Sequence, residues 1–489
     1  MPIKDGDLLW VVYDHKRKWL LRAKAGENFQ THLGIIKYDD IIGKEYGFKV
    51  VSNTNAFFWV FEPLPVDVIL KMGRATQIIY PQDIGFILVQ TDIGPGKKVV
   101  EAGTGSGSLT INLAYYVRPN GHIYSYDINE KSTKQAQKNL EKMNLAAFAT
   151  LKAGDVCQAI EEKEVDVVML DLATPWLAVE NAWGALKESG SICCFSPTIE
   201  QVKKNVKILN IRGFVDIRTH EVLCQDYQVR ENATRPITTM IGHTGFMTFA
   251  RKALRTEKAI EEEIKSSEDR IDEVLKIGNI AHISYPQDLG FILVQTGIGP
   301  DKRVVEAHTG SGSLTKKFAY YVQSNGHIYS YDIDERNCQQ VQKDLDVQNL
   351  ATFVTLKVGD VCRTIEEKEV DVVVLDIPTP WRAVETAWGA LKGSGSICCF
   401  SLTLEQVKEN VEALKKTRGF ADIRTHAVLC RDYQVSENET RPTTTMIGHT
   451  GFMTFARKVI KGEIASEEKI NTTVGNEESP IFDEGEKDI

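Results

Sequence analysis

The stretch VVEAGTGSGSLT at residues 99–110 decides the fold, and it returns as VVEAHTGSGSLT at residues 304–315. In both places β-branched residues run through a glycine-rich turn into a segment with helical character. A strand, a glycine loop and a helix in this order are typical of a parallel α/β sheet, whose ligands bind beyond the carboxyl ends of the strands. The two occurrences differ inside the loop, where His308 takes the position of Gly103.

Short strand-like runs alternate with amphipathic runs along the first occurrence. The predicted strands are KKVVEAG, GHIYSYDI, FATLKAGD, VDVVMLDL and SGSICCFS, and the predicted helices are SLTINLAYYV, EKSTKQAQKNLEKM, PWLAVENAWGAL and IEQVKKNVKIL. Thr198 and Gln201 form a capping-box pattern at the head of the last of these helices. The alternation predicts a doubly wound, Rossmann-like α/β sheet.

The self-similarity extends well beyond the loop and divides the chain. It begins at VDVILKMGRATQIIYPQD, residues 66–83, and ends with IGHTGFMTFARK, which is identical at 241–252 and 447–458. A preceding segment rich in strand-like runs predicts a small β domain, and the polar, acidic end of the chain predicts disorder. The expected parts are an N-terminal β domain at 1–65, a first α/β copy at 66–252, a charged helical linker at 253–270, a second copy at 271–458 and an acidic tail at 459–489.

Composition excludes several classes of protein. The chain has 489 residues, 42% of them hydrophobic, which is enough to build cores in more than one domain. No window holds the roughly 20 apolar residues that a membrane helix needs, and the first residues lack a signal-peptide pattern, so we expect a cytoplasmic protein without a membrane partner. The nine cysteines show no CxxC pair or histidine cluster with metal spacing, and we therefore expect no metal site.

The loop and the strand ends carry ligand-type groups. From Glu101 to Gly107 the spacing is E-x-G-x-G-x-G, whereas the dinucleotide pattern G-x-G-x-x-G would need glycine at Ser108. Asp127 ends the second predicted strand, where an acid can hold ribose hydroxyls, and Asp155 ends the third. Because nothing in this pattern binds a pyrophosphate, S-adenosylmethionine fits better than a nicotinamide cofactor. Glycines that serve packing and acids that face solvent are the alternative.

The fourth predicted strand ends at Asp171 and is followed by Pro175 and Trp176. An acid that emerges from an apolar run is partly desolvated, and the Pro-Trp pair can form a platform for a flat base. The alternative is that Asp171 caps the next helix and that Trp176 fills the core.

These motifs occur together in a known family. The combination of RATQIIYPQD, EAGTGSGSLT, DLATPW, SPTIEQV and RPITTMIGHTGFMTFARK resembles the tRNA (adenine-58-N1)-methyltransferase family, in its archaeal and bacterial single-chain form. The resemblance implies a class I S-adenosylmethionine-dependent methyltransferase fold in two tandem copies. It also implies methyl transfer to N1 of adenine 58 in the tRNA T-loop, with position 57 left open as a further target.

The resemblance assigns roles to residues of the first copy. It implies Asp171 and Tyr80 as catalytic residues, with Asp127 on the ribose and Asp155 on the adenine of the cofactor. Gln82 departs from the family, which often has lysine there. The implied cofactor-binding residues are Gln77, Glu101, Gly103, Thr104, Gly105, Ser106, Gly107, Ser108, Asp127, Asp155 and Asp171.

The second copy is expected to be impaired. His308 replaces a glycine that we expect at the closest backbone approach to the cofactor, so its imidazole would fill the methionine site or push the loop outward. Asn279 and His282 replace Arg74 and Gln77. Retained cofactor binding stays open as the alternative, since matching residues persist, namely Gly310, Gly312, Asp332, Asp360, Asp376 and Tyr285.

Two other functions and one assembly remain to be weighed. A protein methyltransferase of the isoaspartyl type shares the cofactor fold, and a non-catalytic RNA-binding scaffold would bind RNA without cofactor. The family's homotetramers imply an assembly in which two chains, each with two α/β units, form a four-unit particle. The implied partner is the T-loop of tRNA.

Overall fold

The computed structural model describes residues 2–14, 16–71, 79–253, 285–436, 439–444 and 447–460. Several sequence predictions lie outside these residues, namely nearly all of the linker helix and the acidic tail, the start of the second copy, Gln77, and the Arg74, Asn279 and His282 differences.

The N-terminal region forms an antiparallel sheet and a hairpin. The first strand is buried on both faces, since Leu9 and Val11 lie in the core of the domain and Trp10 and Val12 lie in a second cluster on the opposite face. The sheet order is β2-β1-β6-β5, and β3 pairs with β4. The strands are β1 Leu8–Val12, β2 Lys18–Arg22, β3 Asn28–Thr31, β4 Gly34–Lys37, β5 Phe48–Val51 and β6 Phe57–Phe61.

The first copy alternates strands and helices as its sequence predicts. Pro81 opens a helix at its first turn, and Asn129 and Thr198 cap two others, the latter with the full capping box. Its elements are α1 Pro65–Lys71, α2 Pro81–Thr91, β7 Lys98–Ala102, α3 Ser108–Tyr116, β8 His122–Asp127, α4 Glu130–Lys142, β9 Ala149–Ala153, β10 Val165–Asp171, α5 Val179–Ala185, β11 Leu186–Ser196, α6 Ile199–Arg212, β12 Val215–Gln228, β13 Arg235–Pro236 and β14 Phe246–Arg251.

The second copy repeats this order from its second helix onward. Its elements are α7 Pro286–Thr296, β15 Arg303–Ala307, α8 Ser313–Tyr321, β16 His327–Asp332, α9 Glu335–Val347, β17 Val354–Val358, β18 Val370–Leu375, α10 Val384–Ala390, β19 Leu391–Ser401, α11 Leu404–Lys416, β20 Phe420–Val435, β21 Thr440–Pro442 and β22 Phe452–Lys458.

The two copies share one continuous sheet. The first contributes β9-β8-β7-β10-β11-β14-β12 and the second contributes β17-β16-β15-β18-β19-β22-β20, and β12 pairs with β20 antiparallel to join them. Helices α2 and α7 cross at the centre, where a Cβ added to Gly85 would lie 2.2 Å from the carbonyl oxygen of Gly290, and the reverse distance is the same. The copies are therefore related by an internal pseudo-two-fold axis.

Polar side chains pair across the β12–β20 junction. His220 Nδ1 lies 2.6 Å from Asp432 Oδ1, and His426 Nδ1 lies 2.6 Å from Asp226 Oδ1. Cys430 and Cys224 lie beside these histidines and complete two His-Cys-Asp groups of a kind that can ligate metals. Local spacing in the sequence could not reveal them, because each group draws residues from both copies; the short His–Asp contacts are hydrogen bonds.

The N-terminal domain packs on the second copy. Arg457, which is buried, donates from Nη2 to the carbonyl oxygen of Glu62, and Lys18 Nζ lies 2.6 Å from Asp422 Oδ1. Arg251, the counterpart of Arg457 in the first copy, is exposed. The N-terminal domain thus bonds to the far half of the chain, and it also contacts the copy that follows it, where Arg22 Nη2 donates to the carbonyl oxygen of Lys142 at 2.5 Å. No helix among the described residues is long and apolar enough to span a membrane.

Candidate functional site

The ligand-type residues of the first copy line up at the carboxyl edge of its sheet. Ala102 of β7 is in register with Tyr126 of β8 and with Leu170 of β10. The next residues, Gly103, Asp127 and Asp171, therefore form a row across three adjacent strands, which in parallel sheets lie about 4.8 Å apart. The sequence could predict each strand end, and the register brings the three together.

Asp127 is fixed from two sides at this edge. Its Oδ2 accepts a hydrogen bond from the amide of Gly105 at 2.9 Å, and its Oδ1 accepts one from the amide of Asn129 at 2.8 Å. The side chain remains partly exposed. Asp155 lies two residues beyond Ala153, which pairs with Asp127 in β9, and its Oδ1 accepts from the amide of Cys157 at 2.9 Å. Both carboxylates are pre-oriented and open to a ligand.

Two of the loop glycines are needed for packing within the protein. A Cβ on Gly103 would lie 2.0 Å from the carbonyl oxygen of Asp171, and one on Gly107 would lie 2.8 Å from the Cβ of Ala136 in α4. Gly103 is therefore required by its neighbouring strand, and its place at the closest approach to a cofactor stays a prediction. Gly105 lies between them with a φ of 53°.

The hydroxyl residues of the loop differ in their surroundings. Thr104 is buried, and its Oγ1 lies 2.6 Å from Ser125 Oγ, so it stabilises the loop from below. The carbonyl of Ser106 accepts a hydrogen bond from Asn139 Nδ2 at 2.9 Å. Ser108 begins α3, and its buried Oγ has no hydrogen-bond partner among the described residues. The chain thus holds Thr104 and Ser106 in structural contacts.

Two acids at this edge have raised pKa values. Burial raises the pKa of Glu101 to about 7 against the lowering effect of the Thr110 hydroxyl, which donates to its Oε2 at 2.6 Å. Loss of solvation on burial raises the pKa of Asp171 to about 7, although part of the residue still faces solvent. A carboxylate in such a setting interacts more strongly with a nearby positive charge than one in water.

The turn after Asp171 is partly exposed, and a lysine of α6 lies over its tryptophan. The two helical turns that follow show no side-chain cap, so the alternative role of Asp171 as a cap is not observed. Trp176 is partly exposed, and Lys204 Nζ of α6 lies 4.5 Å from the centre of its ring. The Trp176 ring is thereby held at the mouth of the site.

Helix α2 brings its first residues toward the same edge. Tyr80 occupies the N-cap position of α2 and is partly exposed. Gln82 is buried, so the residue that departs from the family faces the interior. Asp83 is fully buried, accepts a hydrogen bond from Thr244 Oγ1 at 3.1 Å, and has its pKa raised by burial to about 8. The Thr244 contact attaches α2 to the IGHTGF segment.

In the second copy the same edge is covered. His308 Nε2 lies 3.4 Å from Asp332 Oδ2, and this oxygen also accepts from the amide of Gly310 and from Asn337 Nδ2. Asp332 and Asp376 are only 3% and 4% exposed. The imidazole lies against Asp332, the counterpart of Asp127, and the expectation that it fills the methionine site or pushes the loop outward stays a prediction.

The remaining second-copy candidates keep the local contacts of the first copy. Asp360 Oδ1 accepts from the amide of Cys362 at 2.9 Å, and Gly312 packs against Val341 of α9. Tyr285 is the N-cap residue of α7. The two copies therefore share a scaffold and differ mainly at the residue that covers Asp332.

One buried group near the site was missed by the sequence analysis. Glu221 Oε1 lies 2.7 Å from His243 Nδ1, and its Oε2 accepts hydrogen bonds from Tyr433 and Arg431 of the second copy. The signal that could have revealed it is a difference between the repeats, since Ala427 stands at the matching position.

Comparison with known proteins agrees with this geometry. The family model described as "tRNA methyltransferase complex GCD14 subunit" matches residues 56–234 and again 275–440. The chain is 39% identical over 267 residues to the tRNA (adenine(57)-N(1)/adenine(58)-N(1))-methyltransferase TrmI of Methanocaldococcus jannaschii, which covers 49% of this chain and 94% of the relative. It is 30% identical over 302 residues to the tRNA (adenine(58)-N(1))-methyltransferase catalytic subunit of Dictyostelium discoideum, covering 51% and 96%.

A solved structure supports the fold. The SAM-dependent O-methyltransferase from Thermotoga maritima superposes with a TM-score of 0.50 at 31% identity, covering 52% of this chain and 96% of that chain. The predicted class I methyltransferase fold with a small N-terminal β region is thus confirmed, as is the predicted family. With both repeats matched by the family model and one edge carrying Asp127 and Asp171 in register, the chain belongs to the GCD14 family of tRNA methyltransferases.

Proposed function

We propose that this chain is an S-adenosylmethionine-dependent tRNA methyltransferase that methylates N1 of adenine 58 in the T-loop, and that its first copy performs the reaction. The observation that carries the proposal is the row of Gly103, Asp127 and Asp171 at the carboxyl edge of the sheet, in a chain that belongs to a tRNA methyltransferase family. The names of the relatives support the target atom and the target position.

The residues present fit the cofactor. Asp127 is held by two backbone amides with part of its carboxylate exposed, which suits the paired hydroxyls of a ribose. Asp155 lies two residues beyond the end of β9, the strand next to β8, so it is placed on the side where the other end of a nucleoside would lie. When bound there, S-adenosylmethionine supplies a methyl group on a positively charged sulfur.

The task of the protein is then alignment and charge stabilisation. Adenine N1 carries its own lone pair at neutral pH, so the reaction needs no strong base, and positioning contributes most of the rate. Asp171 in its carboxylate form can accept a hydrogen bond from the exocyclic amine of adenine and stabilise the positive charge that develops on the ring. Because N1 lies on the Watson–Crick edge, the base must be unpaired, as it can be in an RNA loop.

The second copy lacks an open cofactor edge. His308 lies against Asp332, and both Asp332 and Asp376 are nearly inaccessible to solvent. A ribose cannot reach Asp332 while the imidazole is there. The two copies also differ in charge beside the site, because Lys204 and Lys207 of α6 correspond to Glu409 and Glu412 of α11.

The matched substitutions Asp171→Ala and Asp376→Ala test this assignment. With a tRNA transcript and labelled S-adenosylmethionine, we expect Asp171→Ala to lower turnover by about 100-fold or more, a typical cost for a positioned charge-stabilising group. Asp376→Ala should change turnover by less than about twofold. Methyladenine at position 58 blocks base pairing, so a reverse-transcriptase stop at that position identifies the target.

Other results would reject the proposal. Equal losses from the two substitutions would contradict the assignment to the first copy. RNA binding without any methyl transfer would instead indicate a scaffold, and methylation of an isoaspartyl peptide but not of tRNA would indicate a protein methyltransferase.

A further inference from the structure

Glu221 is a buried acid shared by the two copies. It is 3% exposed and lies on β12, directly opposite Arg431 of β20. Arg431 Nη1 lies 3.2 Å from Glu221 Oε2, and Tyr433 Oη donates to the same oxygen at 2.9 Å. A buried carboxylate is costly unless it is paired and hydrogen-bonded, so these two residues of the second copy stabilise it.

The other oxygen of Glu221 holds a loop of the first copy. We call residues 241–245 the histidine loop. Glu221 Oε1 lies 2.7 Å from Nδ1 of His243, while His243 Nε2 lies 3.0 Å from the carbonyl oxygen of Pro197. Both partners are acceptors, so the ring makes both hydrogen bonds when each of its nitrogens carries a hydrogen. The carboxylate therefore orients the imidazole.

The histidine loop touches α2, whose N-cap residue is Tyr80, and β11, the strand that pairs with the one ending at Asp171. Thr244 donates to Asp83, three residues beyond Tyr80 in sequence. A Cβ on Gly245 would lie 2.3 Å from the ring of Phe195, which is in register with Asp171. A shift of the histidine loop would thus be transmitted to the tyrosine side and to the aspartate side of the site.

The link between the copies exists on one side of the pseudo-two-fold axis only. At the equivalent position Ala427 faces Gln225, and the Gln225 amide donates instead to the carbonyls of Asp226 and Ile237. His449, the counterpart of His243, keeps its contact with a carbonyl at 2.9 Å. The local loop contacts are thus common to both copies, whereas the acid and its arginine occur only where they reach the first copy.

We propose that Arg431 and Tyr433 are positioning residues for the active site of the first copy, which they align through Glu221 and the histidine loop. This inference rests on the proposed function for its catalytic consequence. It gives the second copy a defined part in the reaction although that copy transfers no methyl group itself.

The double variant Arg431→Gln, Tyr433→Phe tests the proposal, with Gln225→Ala, Tyr227→Phe as the matched control on the other side of the axis. We expect the double variant to lower kcat by about tenfold to a hundredfold, because a displacement near 1 Å at a reacting centre has an effect of this size. The dissociation constant of S-adenosylmethionine should change by less than about twofold, since the cofactor acids lie on other strands. The variant Arg431→Lys keeps a positive charge opposite Glu221, and its kcat should therefore fall less than that of the double variant.

Hydrogen exchange provides a readout that does not depend on activity. In the double variant the amides of the histidine loop should exchange faster, while those of 447–451 in the second copy should be unchanged. If wild-type protein methylates no tRNA, the proposed function fails and the exchange measurement still decides the positioning role. Wild-type exchange of the histidine loop in the double variant, or a wild-type kcat in a variant that methylates tRNA, would overturn it.

Discussion

At the scale of single residues, Asp171 links the chemistry to pH. Its pKa is raised to about 7 by the surrounding protein, so the group is protonated below that pH and a carboxylate above it. Only the ionised carboxylate carries a full negative charge when it accepts a hydrogen bond from the exocyclic amine of adenine. We expect kcat/KM, which reports on the free enzyme, to rise about tenfold per pH unit below 7 and to level off above it.

The residual activity of Asp171→Asn should lack this dependence, because its amide does not titrate in the same range. A wild-type profile that is flat from pH 5.5 to about 8 would show that the ionisation of Asp171 does not control the rate.

His308 of the second copy can be substituted by glycine, the residue that the first copy has at the equivalent position, Gly103. Because the imidazole lies 3.4 Å from Asp332, His308→Gly should expose that acid and create a second cofactor site. We expect titration calorimetry to give one S-adenosylmethionine per wild-type chain and two per His308→Gly chain. The reciprocal change Gly103→His should abolish binding to the first copy, since even a Cβ there would lie 2.0 Å from the Asp171 carbonyl.

A stoichiometry that stays at one in His308→Gly would mean that other differences close the second copy. Two S-adenosylmethionine sites in the wild-type chain would show that the His308 imidazole moves away from Asp332 when the cofactor binds.

Residue types at strand ends could be predicted from the sequence, whereas their contacts could not. Asp127 and Asp171 end apolar runs, and that pattern alone locates them at the ligand-binding edge. The need for glycine at 103 depends on the backbone of β10, which lies 68 residues further along the chain at Asp171. The contact between His308 and Asp332 likewise depends on a side-chain direction that no sequence pattern contains.

At the scale of elements, α6 and α11 are a natural pair for testing RNA binding. Lys204 of α6 lies over the ring of Trp176, and Lys207 is exposed three residues further along the same helix. In α11, Glu409 and Glu412 take their places. We expect Lys204→Glu, Lys207→Glu to raise the KM for tRNA by about tenfold and to reduce the slope of log affinity against log salt by roughly one to two. Filter binding over a salt series measures the slope.

The control for this experiment is Glu409→Lys, Glu412→Lys on α11. It should leave the KM for tRNA within about twofold of wild type. If this control and the α6 variant changed the KM equally, the RNA would contact both halves alike.

The succession of elements could largely be predicted, because strand-like and helical periods alternate cleanly in both repeats. The capping box of Thr198 and Gln201 is also found as its sequence indicates. The junction between β12 and β20 could not be predicted, since either strand could have remained a free edge. Its pairing depends on complementary side chains, such as His220 with Asp432, that are separated by more than two hundred residues.

At the scale of the whole molecule, the chain already contains one pair of α/β units around an internal axis. We propose that a further isologous contact between two chains completes a four-unit particle. Light scattering at micromolar concentration should then give a mass about twice that of the 54.8 kDa chain. A mass of one chain would show that the internal pair suffices.

The attachment of the N-terminal domain to the second copy sets an order of events during synthesis. Lys18 leaves the ribosome early, but its partner Asp422 follows 404 residues later. At about 5–20 residues per second, the first domain waits roughly 20 to 80 s before its docking face exists. During that interval the apolar face of the domain that later packs against Val459, which includes Trp10 and Phe61, stays exposed, and exposed apolar surface on an incomplete chain favours aggregation.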